Sequence, residues 1–288
     1  MTLSYRPESL EVVLEKLALA KHILFAGGSD LMVQHSARPG IPPTYDNNVI
    51  FIDAINSLKQ IKEVMISGTQ FVSIGAGANL HQIEIDPLVP EILQRSVASI
   101  AAPALRNRAT LAGNICNASP AADSLPALYV LEALVVLASV DGERTVPISE
   151  FITAPGKTVL AKNELLVAVL IAKQDLPITF YHKVGTRAAN ALTKLSVVGV
   201  ANIVDEIIVD WRVAFGAVGP TVIRSIEIEQ KLLNKPITLL VQESAVKNIV
   251  DAYGEVIKPI DDQRSTASYR HGVSLALLQR WLNQLSDQ

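Results

Sequence analysis

Between Thr110 and Asp123 the chain reads Thr-Leu-Ala-Gly-Asn-Ile-Cys-Asn-Ala-Ser-Pro-Ala-Ala-Asp, and bulky side chains stay scarce until Leu125. Backbone N–H groups in such a run can come close to a ligand. Gly113 can take positive φ without a Cβ penalty. Thr110, Asn114 and Ser119 add hydroxyl and amide groups, and Asp123 adds a carboxylate. Successive N–H groups in a tight turn form an anion-binding nest that suits a pyrophosphate. Taken alone, the stretch reads equally well as a small-residue turn packed on a sheet.

A second candidate lies upstream. His22-Ile-Leu-Phe25 is a short apolar run with the character of a buried strand, and it empties into Ala26-Gly27-Gly28-Ser29-Asp30-Leu31. Paired glycines directly after a strand suggest another turn that cradles phosphate oxygens. Gly113 follows Gly28 by 85 positions. Two turns short of side chains suit two jaws on one extended ligand.

The elements that position these turns follow from the apolar pattern. Leu10, Val13, Leu14 and Leu17 predict an amphipathic helix over 7–19. Short strands are expected at 22–25 and 49–55, closing a small βαβ-like unit near Ser57. A hairpin over 61–76 turns at Ser67-Gly68-Thr69. Ile74-Gly-Ala-Gly-Ala-Asn-Leu80 imitates a dinucleotide fingerprint, but Leu80 takes the third glycine position and no clear βαβ unit follows. The better reading is a strand end leading into a helical turn capped by Asn79. A helix is expected over 89–102, a strand over 131–140 with a hairpin turn at Asp141-Gly142, and one or two strands over 159–172. Strands at 196–203 and 207–215 and helices at 225–233, 239–252 and 269–285 complete the chain. The expected domains are 1–176, with subdomains 1–57 and 58–176, and 177–288.

Composition narrows the function classes. The chain has 288 residues, 49% of them hydrophobic and 18% charged, which predicts two well-packed domains. A formal net charge of −3 excludes a broadly basic nucleic-acid surface. Cys116 is the one cysteine, so no internal disulfide or iron–sulfur cluster is expected. One thiol suits a reducing compartment, and a cytoplasmic location is expected. The five histidines show no metal-binding spacing, so no metal is expected on this chain. The first residues lack the apolar run of a secretory signal, and no membrane span is expected.

At this point the residues carry a resemblance. Phe25-Ala-Gly-Gly-Ser-Asp-Leu31 and the stretch from Arg106 to Asp123 resemble the FAD-binding (medium) subunits of the xanthine dehydrogenase / carbon monoxide dehydrogenase family of molybdenum hydroxylases. Gly216-Ala-Val-Gly-Pro-Thr-Val-Ile-Arg224 and Asp262-Gln-Arg-Ser-Thr-Ala-Ser-Tyr-Arg270 resemble that family's C-terminal flavoprotein domain. The resemblance covers nearly the whole chain, in order. It implies an α+β chain. A two-subdomain FAD-binding domain of the vanillyl-alcohol oxidase / p-cresol methylhydroxylase type comes first. A C-terminal α+β domain of the carbon monoxide dehydrogenase flavoprotein type follows.

By that similarity Leu24, Phe25, Ala26, Gly27, Gly28, Ser29, Asp30 and Leu31 hold the FAD pyrophosphate together with Thr110, Leu111, Ala112, Gly113 and Asn114. Asp123 hydrogen-bonds the flavin side of the cofactor, Lys183 lies near the isoalloxazine, and Ile100 and Leu165 line the ring. No residue of this chain is assigned a catalytic role. FAD is expected to bind non-covalently, and a Lys183 cation beside the ring should favour the reduced, anionic flavin. The molybdopterin cofactor and [2Fe–2S] clusters are expected on partner chains, a large and a small subunit, in a dimer of heterotrimers. The chain is then an oxidoreductase subunit that passes electrons from [2Fe–2S] clusters to an acceptor such as NAD, oxygen or quinone. The alternative is a stand-alone flavin oxidase or reductase, which needs an acid–base residue near the ring. A third reading is a binding module with an empty cofactor fold, against which the intact glycines and Asp123 speak.

Departures from the family pattern set further expectations. The family's second turn commonly reads Thr-x-Gly-Gly-Asn, and Ala112 stands at its first glycine. Alanine tolerates positive φ poorly, so either that peptide is not left-handed or the loop is shifted. Ile100 replaces an aromatic found in some members, which removes stacking on that face. The cysteine-bearing insertion that holds a [4Fe–4S] cluster in some members is missing. Several residues keep two readings. Lys183 could be a surface lysine. Arg106 and Arg108 could be solvated charges or phosphate ligands. Asp123 could cap a helix over 125–131 and still meet a ligand. Cys116 reads as a small core residue rather than a reactive thiol.

Overall fold

Ser9 sets where the first helix begins. Its side chain accepts from the Val12 N–H, so Pro7 and Glu8 stay outside and the helix runs Leu10–Leu19. Val13 and Leu17 are its buried residues, worth about 1.5–3 kcal/mol each on burial. The computed structural model describes residues 2–36, 38, 40–187 and 190–287. They form two compact units interleaved along the sequence. The first is 1–90, 101–118 and 132–173; the second is 91–100, 119–131 and 174–288.

In the first unit, Ser4–Tyr5 and Ile23–Phe25 both pair in parallel with Val49–Phe51 between them. Ser4–Tyr5 has no sequence signal, since two residues cannot show a period. The strand expected over 49–55 stops at Phe51, and a 3-10 turn follows at Asn56–Lys59. A five-stranded antiparallel sheet has the order Ile61–Ile66, Thr69–Gly75, Leu165–Ala172, Leu134–Ser139, Gly142–Pro147. Ser67 at φ 49° and Gly68 at φ 83° make the first hairpin turn, as a right-twisted hairpin requires. Helix and sheets share one core, with Val13, Leu17, Ile50, Ile52, Leu58, Val136 and Leu165 in contact. Asn79 and Gln82 form a reciprocal capping box that starts the helix Leu80–Ile85. The glycines before it therefore end a strand.

In the second unit, Ile178–Val184, Leu195–Val204 and Ile207–Gly216 form an antiparallel sheet in sequence order. The helix Ala267–Ser286 buries Leu278, Trp281, Leu282 and Leu285 against the sheet. Gly199 makes that possible, because a Cβ there would lie 2.5 Å from Trp281 Nε1. The helix expected over 225–233 is a single turn, Ile226–Glu229. The one expected over 239–252 is a 3-10 turn, Ile237–Val241, then a helix, Glu243–Val256. Extended backbone at Gln242 separates them; the apolar period runs across the break and hides it. Glu91–Ala98 is shorter than the helix expected over 89–102, as the chain turns left-handed at Ala101 (φ 48°) before Pro103. Ser124–Val130 is buried along its whole length, as suits a helix apolar on every side. Among the described residues no helix is long and apolar enough to cross a membrane.

Candidate functional site

The two glycine-bearing segments meet in the first unit. A Cβ on Gly27 would lie 2.1 Å from the Arg108 carbonyl oxygen and 2.8 Å from Ala109 Cα. Gly28 has φ +70°, and its Cβ would run into the Phe25 ring at 2.0 Å. Both glycines are thus demanded by the approach of chain to chain. Gln34 ties the segments further. Its Nε2 donates to the Asp30 carboxylate and, at 3.1 Å, to Asn117 Oδ1. Nothing in the spacing of Gln34 and Asn117 announces that bridge.

The second segment is a helix rather than the expected tight turn. Thr110 is its N-cap, with Oγ1 accepting from Gly113 N at 3.1 Å, and the helix runs Leu111–Asn117. Ala112 and Gly113 are absent from the positive-φ residues. Alanine for glycine therefore costs nothing here, and no shift of the loop is needed. The left-handed residue is Ala118, φ 49°, at the far end. A Cβ on Gly113 would meet only Thr110 Oγ1, at 3.0 Å. The helix start is held against the start of the helix Leu80–Ile85 by Leu80 N donating to the Ala109 carbonyl at 2.8 Å. The N–H groups of a first helical turn point out past the helix end and favour anions.

Arg106 is committed elsewhere. Its Nε lies 2.9 Å from Glu84 Oε2, and Nη1 donates to the Ala101 carbonyl at 3.1 Å. That pairing displaces the phosphate reading of Arg106. Burial pushes the Cys116 thiol up to about 12, so it stays protonated and unreactive.

The second unit gathers a separate polar cluster around Asp123, which is 6% exposed. Asp123 Oδ2 accepts from Lys183 Nζ at 2.7 Å, and Oδ1 accepts from Thr193 Oγ1 at 2.6 Å. Lys183 Nζ also donates to the Ser99 carbonyl at 2.9 Å. The Ser99 hydroxyl is bonded to the Tyr181 hydroxyl. Asp123 stands at the N-cap position of Ser124–Val130 but makes no side-chain cap bond; its carboxylate is taken by lysine and threonine. Burial pushes that carboxyl above its ordinary range, while Lys183, Thr193 and Arg264 pull it back. Burial, then Asp123, raises the Tyr181 phenol. A cavity of about 230 Å³ is lined by Ser99, Tyr181, His182, Lys183, Gly185 and Arg187, among others. Ile100 follows Ser99 and is half-buried, whereas Leu165 is 4% exposed in the core of the first unit.

The motif Gly216–Arg224 anchors the segment that carries Asp123. A Cβ on Gly216 would lie 2.9 Å from Pro126 Cγ, so only glycine lets that helix approach. Ala217 N donates to the Pro120 carbonyl at 2.9 Å. At the other end of the helix, Arg224 Nη1 reaches the Tyr129 carbonyl at 2.7 Å and Arg212 Nη1 the Val130 carbonyl at 2.9 Å. Two cations there suit the negative end of the helix dipole. Arg224 is in turn held by Glu229, with Nε to Oε1 at 2.9 Å.

Residues 1–173 match the family of the FAD binding domain in molybdopterin dehydrogenase. The chain belongs to that family. Residues 180–285 match the CO dehydrogenase flavoprotein C-terminal domain. The chain is 30% identical over 268 residues to the carbon monoxide dehydrogenase medium chain of Hydrogenophaga pseudoflava, covering 90% of this chain and 88% of that one. It is 28% identical over 252 residues to a putative xanthine dehydrogenase FAD-binding subunit of Escherichia coli (strain K12), covering 86% and 82%. Among solved structures, carbon monoxide dehydrogenase from Hydrogenophaga pseudoflava lacking the Mo-pyranopterin moiety superposes with a TM-score of 0.85 at 26% identity, covering 98% of this chain and 96% of that one.

The chain is thus an FAD-binding medium subunit of the molybdenum hydroxylase family, an oxidoreductase family, and its fold is the expected FAD-binding domain followed by the flavoprotein C-terminal domain. The first unit fits the cofactor. Gly27 and Gly28 leave bare backbone beside a helix start, and Gly113 in that helix's first turn is exposed. Thr193, Ser99 and Tyr181 escaped the sequence reading, because a buried hydroxyl has no signature of its own in a sequence.

Proposed function

We propose that this chain holds FAD and relays electrons inside a molybdenum hydroxylase. In this reading the backbone of 24–31 and of 110–114 carries the pyrophosphate, and Asp123, Lys183, Ile100 and Leu165 serve the flavin. FAD supplies the redox chemistry when bound; the protein supplies binding, orientation and electrostatics. Electrons arrive from [2Fe–2S] clusters on a small partner chain, after substrate oxidation at a molybdenum cofactor on a large one. They leave for an external acceptor such as NAD, oxygen or quinone. We place the domain boundary at 176/177, in the gap between the matched segments 1–173 and 180–285, and the complex in the cytoplasm.

One observation supports relay over a stand-alone oxidase. Both carboxylate oxygens of Asp123 accept hydrogen bonds, from Lys183 and from Thr193. A carboxylate so engaged is held to orient and neutralise a lysine, a binding role rather than the acid–base role that a stand-alone oxidase needs. The test is purification of the tagged chain from its native cell. Molybdenum- and iron-bearing chains should come with it, and their substrate should bleach its flavin. A yellow chain that purifies alone and oxidises a substrate by itself would establish the stand-alone reading instead.

A further inference from the structure

Asp123 and Lys183 do not use up their hydrogen-bonding capacity on each other. A carboxylate has two oxygens to satisfy, and a lysine ammonium has three N–H donors. Asp123 gives one oxygen to Lys183, at 2.7 Å, and the other to the Thr193 hydroxyl, at 2.6 Å. Lys183 gives one N–H to Asp123 and one to the Ser99 carbonyl, at 2.9 Å. Among the described residues nothing accepts the third. An ammonium is tetrahedral, so two fixed bonds also fix the direction of the third N–H. The Lys183 side chain is 12% exposed and lines the cavity of about 230 Å³, which is where that donor can meet a ligand.

The backbone fixes where Thr193 stands. It is buried and lies just before the strand Leu195–Val204. Lys194 N donates to the Val184 carbonyl at 2.8 Å, which ties the chain off where the strand Ile178–Val184 ends. One hairpin thus delivers both donors of Asp123, Lys183 from its first strand and Thr193 from the approach to its second. A buried carboxylate oxygen without a donor is costly. With the Thr193 hydroxyl gone, the spare Lys183 N–H is the donor at hand. The other polar groups of the cavity are engaged or uncharged. Arg187 Nε and Nη2 donate to the Asn190 carbonyl, at 3.2 and 2.8 Å, and the Tyr181 hydroxyl is bonded to the Ser99 hydroxyl. Burial, then Arg280, lowers the His182 imidazole below its ordinary value of 6.5, so it is neutral at pH 7.

We propose that Thr193 is a positioning residue of the flavin site: by taking Asp123 Oδ1 it leaves the third N–H of Lys183 free to donate into the cavity. This rests on the reading that Lys183 serves the flavin. Lys183 then acts as an aimed hydrogen-bond donor, not as the lone cation that the sequence suggests. Without the Thr193 hydroxyl the ammonium turns to both oxygens of Asp123, and the donor is withdrawn from the cavity. A charged donor to the ring favours the form with more negative charge, which is the reduced one.

The test is a potentiometric titration of bound FAD in wild type, Thr193→Val and Thr193→Ser, each purified with its partner chains. Valine keeps the shape of threonine and removes the hydroxyl; serine keeps the hydroxyl. Thr193→Val should lower the ratio of reduced to oxidised FAD at a fixed ambient potential by up to roughly tenfold, about 30 mV for a two-electron couple. Thr193→Ser should stay with wild type. Full FAD with one midpoint in all three proteins overturns the proposal. Equal shifts in both variants overturn it too, since they would trace to the lost methyl packing or shape. A wild type without FAD removes the reading beneath the proposal. In that case, or where Thr193→Val alone holds no FAD, ¹³C titration of the Asp123 carboxyl in the apoproteins decides whether the hydroxyl holds Asp123. Asp123→Asn assigns the signal. The charged and titratable groups around it, Lys183, Arg187, Arg264, His182 and Tyr181, are common to all three proteins. A midpoint raised in Thr193→Val and restored in Thr193→Ser supports the hold, and an unmoved one overturns it.

Discussion

Lys183 Nζ lies 2.7 Å from Asp123 Oδ2, and both side chains are close to fully buried, at 12% and 7% exposed. From sequence these two residues read as separate contacts to one ring, with Lys183 a lone cation. Their pairing changes what each can do. A buried ion pair adds little net stability, but removing one partner strands the other.

Lys183→Met should therefore cost about 3–5 kcal/mol of stability, the usual penalty for an unpaired buried charge. The double variant Lys183→Met/Asp123→Asn should recover more than 1 kcal/mol of that in a double-mutant cycle. Urea unfolding of the four proteins measures the cycle. Strict additivity would show that the two charges do not depend on each other.

Gly28 and Gly113 should part company, although both read as pyrophosphate glycines. Gly28→Val forces a branched side chain onto φ +70° and into the Phe25 ring, so the apoprotein itself should lose at least about 1–3 kcal/mol. Gly113→Ala sits in a helix with one neighbour at 3.0 Å and should hold or gain up to about 1 kcal/mol. Thermal unfolding of the two apoproteins makes the comparison. Equal losses would contradict the helix at Leu111–Asn117.

Glu229→Gln should be among the more damaging single changes in the second unit. Glu229 is 3% exposed and holds both Arg224 and the Val213 N–H. Without its charge, Glu229 no longer neutralises buried Arg224, at a cost of up to about 3–5 kcal/mol. Arg224→Lys should fall between, since lysine cannot reproduce the two-point contact. Chemical denaturation ranks the variants, and a near-neutral Glu229→Gln would rule out the anchoring role.

Asp262 carries a pH dependence with a definite sign. Its hydrogen bond to Arg270 holds the carboxyl down to about 2, below its ordinary value of 3.8. A depressed carboxyl contributes stability above about pH 4 and loses it as the pH falls toward 2. Asp262→Asn should therefore destabilise at pH 7 and converge with wild type near pH 2. Melting curves across that window check it; parallel curves would mean that the Asp262–Arg270 contact carries no charge.

The sequence displayed its elements wherever a period or a turn signal was long enough to see. The hairpin at Ser67-Gly68 and the cap at Asn79 are local chemistry, and both stand where expected. Ser4–Tyr5 is too short for any period, and the break at Gln242 is masked by apolar residues that continue past it at Val246, Ile249 and Val250. For the site, Gly27 and Gly28 were visible because only glycine satisfies such backbone. The helical state of Thr110–Asn117 was obscured by its small residues, which serve a turn equally well. The Thr193 and Ser99 contacts are long-range, and a lone hydroxyl does not declare its partner.

The central claim, that this medium subunit carries FAD non-covalently, is tested most directly by acid precipitation of the purified chain. Flavin is counted in the supernatant by its absorbance near about 450 nm. About one FAD per chain in the supernatant, over a colourless pellet, is the predicted result. A chain that carries no flavin, or a pellet that stays yellow, would contradict it.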